Sequence, residues 1–78
     1  MSSAKHEKLV KMANQIGDYF APQQQELAAE GVANHLKRFW TPKMISEIIA
    51  RSNEAGSGLN PTAARGVALL KVKELHSV

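Results

Sequence analysis

Two short runs punctuate this chain in the same way. Thr41-Pro42 and Asn60-Pro61 each place a side-chain oxygen where a helix needs an N-cap. Each then places proline at the first helical position, where no N–H is required. Pro22 adds another boundary, and Ala55-Gly56-Ser57-Gly58 breaks the chain again. No segment between these marks alternates convincingly with period two. The apolar residues recur at three and four instead, as on one face of a helix. The chain is therefore predicted to be all-α, a small four-helix domain with short loops that favour roughly antiparallel neighbours.

The helix registers follow from the same spacing. The first helix is expected to start at a Ser2 or Ser3 cap and run to about Phe20, with Leu9, Met12, Ala13, Ile16, Tyr19 and Phe20 on one face. Gly17 weakens helix propensity but allows a close helix crossing. The second helix is expected from Pro22 or Gln23 to Phe39, with Ala28, Val32, His35, Leu36 and Phe39 sharing a face. Trp40 would then project about 100° away from that face. The third helix should run from Pro42 to about Asn53, on a stripe of Met44, Ile45, Ile48, Ile49 and Ser52. Leu59 reads as a hydrophobic plug. In the fourth helix Ala63, Val67 and Leu70 align, Leu69 and Val72 lie off the stripe, and the end should fray from about Leu75.

With 78 residues, one domain spanning 1–78 is expected. A core this small supplies only about 3–5 kcal/mol of stability. The sequence has no cysteine, so disulfides and thiolate metal sites are ruled out and a partner is the remaining external support. Ten Lys and Arg against seven Asp and Glu give a formal charge of +3, mildly basic. The N-terminus lacks the apolar stretch of a secretory signal, and a cytoplasmic protein is the default expectation.

Catalytic chemistry has little to stand on. His6, His35 and His76 have no second histidine at helical ligand spacing. His35 reads as a hydrogen-bonded core histidine, and Glu26 with Glu30 as a solvated helix face. Gly56-Ser57-Gly58 has neither the following Gly-Lys-Ser/Thr nor the preceding strand of a phosphate loop. The second and third helices could form a small helix-turn-helix nucleic-acid-binding unit, with Lys43, Ser46, Glu47, Arg51 and Asn53 toward solvent. The cations are scattered, however, and Glu47 sits in the middle of that face.

The elbow Lys37-Arg38-Phe39-Trp40 carries the strongest binding signal. Phe39 and Trp40 could simply cap the domain's own core. Alternatively Lys37, Arg38, Trp40 and Lys43 form a partner-binding surface, since Trp and Arg are enriched among interface hot spots. A third possibility is a homo-oligomer that buries Trp40 against its own copy.

The runs Leu9-Val10-Lys11-Met12-Ala13-Asn14-Gln15-Ile16-Gly17-Asp18-Tyr19-Phe20 and Gly31-Val32-Ala33-Asn34-His35-Leu36-Lys37-Arg38-Phe39-Trp40-Thr41-Pro42-Lys43-Met44 resemble two blocks of the NAD-dependent formate dehydrogenase delta subunit family. Gly56-Ser57-Gly58-Leu59-Asn60-Pro61 is similar to its third block. Thr41, Lys43 and Ile45 depart from the family pattern, which favours an acidic residue after the Trp and arginines around the Met. The resemblance implies a non-catalytic accessory subunit of a cytoplasmic NAD-dependent molybdenum or tungsten formate dehydrogenase, supporting assembly, cofactor insertion or stability by binding the large catalytic subunit. It implies no cofactor in this chain. The partner subunits would carry the molybdenum or tungsten pterin, iron–sulfur clusters, flavin and NAD. No membrane is involved in that reading, and nucleic acid has no place in it.

Overall fold

The computed structural model describes the backbone of residues 4–76 and the side chains of residues 7–72. Four helices follow one another: α1 Ala4–Phe20, α2 Gln25–Phe39, α3 Pro42–Ser52 and α4 Pro61–His76. The all-α expectation holds. α4 is the central element and packs on the other three helices, most extensively on α2. Among the described residues no helix is long and apolar enough to cross a membrane.

The boundaries written by cap and proline are where the local chemistry places them. The Thr41 hydroxyl accepts from the Met44 N–H at 3.2 Å, and Pro42 opens α3. Asn60 Oδ1 accepts from the Ala63 N–H at 2.8 Å, and Pro61 opens α4. α2 begins later than expected. Pro22 lies in a turn closed by the Gln23 N–H donating to the Phe20 carbonyl, and the Gln24 carbonyl accepts from the Ala28 N–H to start the helix. The expected cap at Ser2 or Ser3 lies outside the described residues. α4 remains helical through His76, past the expected fraying point at Leu75, and Ser77 and Val78 lie outside the description.

The core is one contiguous cluster. Leu36, Ile48, Leu70, Val32 and Val67 are its largest fully buried side chains. Leu9, Val10, Ala13 and Ile45 join them, while Met12, Ile16, Phe20, Ile49 and Leu59 pack at its edge. Leu59 thus plugs the core as its position suggested. Phe39 does not join: its side chain is 68% exposed. Trp40, expected off the stripe, is 7% exposed and belongs to the cluster.

Small residues explain this reversal. Ala29 and Ala33 are buried alongside Val32 and Leu36. At about 100° per residue, Ala29, Ala33, Leu36 and Trp40 lie almost in line. A stripe of Ala28, Val32, His35, Leu36 and Phe39 that leaves out Ala29 and Ala33 shifts the apparent centre of α2 toward His35 and Phe39. Alanine carries little area, so it is easily left out of a stripe, yet it lets helices approach closely. Gly66 of α4 does the same, with the Val32 side chain occupying the space where a Cβ would stand.

The antiparallel expectation fails for α2 and α3, which scarcely touch. Trp40 (φ −94°, ψ 149°) and Thr41 (φ −72°, ψ 157°) are consecutive extended residues, and they redirect the chain. The residue before a proline is driven toward extended backbone by the ring, which fixes Thr41. α3 then packs on α1 and α4 instead.

An asparagine clasp joins the third turn of α1 to the start of α4. The Asn60 N–H donates to Asn14 Oδ1 at 2.8 Å, Asn60 Nδ2 donates to the Asn14 carbonyl at 3.2 Å, and Asn14 Nδ2 donates to the Gly58 carbonyl at 2.9 Å. Asn60 Nδ2 also donates to Asp18 Oδ1 at 3.1 Å. Gly17 makes room for this crossing, since a Cβ there would lie 2.8 Å from Asn60 Oδ1 and 2.9 Å from the Ala63 nitrogen. Asn60→Ala removes the cap and the two bonds that Asn60 Nδ2 makes, to the Asn14 carbonyl and to Asp18, and leaves the bonds of the Asn14 side chain in place. It is expected to cost about 2–3 kcal/mol, above the typical ~1 kcal/mol of a cap alone. Urea unfolding followed by circular dichroism measures it, and a loss no larger than that of Thr41→Ala would mean that the Asn60 Nδ2 bonds add nothing.

Candidate functional site

α2 delivers the residues of interest to two grooves that share one wall. Trp40, at the end of α2, lines both. On one side a groove of about 420 Å³ is bounded by Lys37, Trp40, Pro42, Ile45, Ser46 and Ile49, between the end of α2 and α3. On the other side a groove of about 510 Å³ lies between α1 and α2, with Met12, Ile16, Phe20 and Trp40 as its apolar lining and Gln15, Tyr19 and His35 as further walls. The Trp40 ring is thus inner wall to both and projects into neither as a free anchor.

The expected site residues are partly brought together. Lys37 and Trp40 share the α2–α3 groove. Arg38 is exposed and holds its guanidinium carbon 5.9 Å from the Phe39 ring centre. Lys43 is exposed in the first turn of α3. The surface-facing aromatic of the elbow is Phe39, and Trp40 is buried.

Two side chains escaped the sequence reading because their positions fell on apparent core stripes. Tyr19 is 77% exposed, and its ring meets the ring of Phe20 edge-on at 5.0 Å. His35 is half-buried in the α1–α2 groove, with its ring 4.8 Å from that of Phe39. It is therefore a groove residue, not a histidine enclosed in the core. For His35 the signal was the alanine pair Ala29 and Ala33 on α2, which turns His35 and Phe39 to the flank; no such signal marks Tyr19 on α1. His6 and His76 lie outside the residues whose side chains are described.

The helix-turn-helix face is largely spoken for. Arg51 is ion-paired to Glu54 at 3.0 Å and half-buried, and Asn53 Oδ1 accepts from Lys71 Nζ at 3.0 Å. Glu47, expected toward solvent, is also half-buried. A reading helix needs several free polar side chains on one face. Among the described residues no three His, Asp or Glu side chains converge in a metal-ligating group.

The residues that carried the family resemblance meet in this structure. Asn14, Gly17 and Asp18 from the first run contact Asn60 from the third. Phe20 lies against Gly31 of the second run. A family model described as NADH-dependent formate dehydrogenase delta subunit FdsD matches residues 8–67, from early α1 into α4. No curated protein and no solved structure matches the chain. The match covers most of the chain, including the runs that build the clasp and the elbow and all of the fully buried core but Leu70, and the chain therefore belongs to the FdsD family of NADH-dependent formate dehydrogenase delta subunits.

Proposed function

We propose that this chain is a non-catalytic accessory subunit of a cytoplasmic NAD-dependent formate dehydrogenase, and that it binds the large catalytic subunit to support assembly, cofactor insertion or stability of the complex. The observation that carries this reading is the family match over residues 8–67. The chemistry of the chain is consistent with it. Iron–sulfur clusters require thiolate ligands, and the sequence has no cysteine. The pterin with molybdenum or tungsten, the iron–sulfur clusters, the flavin and the NAD site belong to the partner subunits.

Lys37, Arg38 and Lys43 serve as the cationic contacts around the elbow, and Trp40 holds the surface rigid beneath them. Their role is to meet an acidic rim on the large subunit. Exposed charges of this kind guide encounter and fix register more than they add affinity. The test begins with formate dehydrogenase purified from a host deleted for this chain. The added chain is expected to co-elute with the large subunit in gel filtration. Alone, it should oxidise no formate with any electron acceptor. Failure to co-elute, or one metal per chain retained against chelator, would overturn the proposal.

A further inference from the structure

We infer that the α1–α2 groove, rimmed by Tyr19 and Phe39, is the seat for an apolar segment of the partner subunit flanked by acidic residues. This rests on the proposed function and specifies which surface serves it. Tyr19 and Phe39 are large, rigid and mostly exposed, and neither belongs to the core cluster. Aromatics in such positions provide contact area at low entropic cost, because only two torsions must be fixed. Tyr19 lines the groove, Phe39 rests against its wall through the His35 ring at 4.8 Å, and the groove offers Met12, Ile16 and Trp40 as an apolar lining. A thioether next to aromatic rings adapts well to an incoming side chain.

Charge decides what kind of segment fits. The groove lining contains no acidic residue. Glu7 and Asp18 face the Gly56–Gly58 loop, and Asp18 is bound to Asn60. Glu26 and Glu30 line the surface between α2 and α4. Glu54 is paired with Arg51. No charged side chain lines the groove itself, and two cations flank it. Arg38 stands over Phe39. Lys8 falls on the same stripe of α1 as Met12, Gln15 and Tyr19, by helical spacing of four, seven and eleven residues. Among the described residues neither Lys8 nor Arg38 has an ion-pair partner. An acidic flank on the occupant would complement both. A second copy of this chain would bring like charge to the same place, so self-association through the groove is disfavoured.

The experiment uses the full chain and formate dehydrogenase from the deleted host. Phe39→Glu and Tyr19→Glu change exposed positions, so both variants should retain helical dichroism and the wild-type unfolding midpoint. Each is expected to weaken association by about tenfold or more, in the range of hot-spot aromatics. Val72→Glu, an exposed apolar position on the opposite α2–α4 surface, should bind as wild type. Arg38→Gln should flatten the salt dependence of binding, because it removes a rim charge. A photo-reactive side chain at position 19 should cross-link to an apolar segment of the large subunit with acidic neighbours. If the wild-type chain does not bind the enzyme, the proposed function fails and this inference fails with it. If the wild type binds while folded Phe39→Glu and Tyr19→Glu bind equally well, only the groove assignment is overturned. A cross-link from position 19 to a second copy of the chain would also overturn it.

Discussion

Trp40→Ala should leave the free chain largely unfolded. The indole is buried at the junction of α2 and α3 and belongs to the core cluster. Truncating a buried aromatic to alanine costs about 3–5 kcal/mol. A helical domain of this length has only about 3–5 kcal/mol in total. The loss therefore consumes most of the margin, and the helical dichroism of the free variant should collapse near room temperature. Phe39→Ala, one residue earlier, should change stability by no more than about 0.5 kcal/mol, as exposed substitutions do. Denaturant unfolding of the two variants side by side makes the comparison. Near-equal midpoints would place Trp40 outside the core. Partner binding would recover part of the folded population of Trp40→Ala by mass action, so the free chain is the material to measure. Truncation here is expected to break folding before it breaks binding, the reverse of what an off-core tryptophan would give.

Gly66→Ala should destabilise the domain even though it improves helix propensity. Glycine in a helix interior is about 1 kcal/mol worse than alanine, so an open site would gain from the change. This site is closed. A Cβ on Gly66 would run into the Val32 side chain, and the Ala29 carbonyl oxygen lies only 3.3 Å away. Val32 is fully buried and β-branched, with little freedom to rotate aside. α2 and α4 must therefore move apart along the most extensive contact in the fold. Overpacking of this kind costs about 1–3 kcal/mol. Val32→Ala vacates the same space, so the double variant Gly66→Ala/Val32→Ala should be more stable than the sum of the single losses by about 1 kcal/mol or more. Additive losses in urea unfolding would show that the two positions do not compete for space.

Much of what marks the family in this chain is spent on folding. Asn14, Gly17, Asp18 and Asn60 build the clasp, Thr41 and Pro42 start α3, and Val32, Ala33, Leu36 and Trp40 fill the core. Gln15, Tyr19, His35, Arg38 and Phe39 remain from the same runs with no part in the core cluster. They gather along the α1–α2 groove and its rim. That division sends the search for the partner surface to the groove flank and its cationic edge. The indole is its support.

The sequence alone determined the parts governed by local chemistry. A threonine or asparagine oxygen ahead of a proline can be satisfied by the next turn of its own chain, so the starts of α3 and α4 were legible without a fold. The fully buried Val32, Leu36, Ile48, Val67 and Leu70 were equally legible, because each sits on a strong helical stripe. Gly17 was readable as a crossing point, and the structure places Asn60 and Ala63 against it. The tertiary structure alone decided which of two adjacent aromatics goes inside. Burial of Trp40 over Phe39 depends on how α2 is rotated about its axis. That rotation is set by how closely Ala29, Ala33 and Gly66 let α2 approach α4, and small residues exert their effect only through the neighbour that fills the space they leave. The separation of α2 from α3 is of the same kind. Two extended residues announce a change of direction, but the packing of Ile45 and Ile48 into the common core determines where the new helix comes to rest.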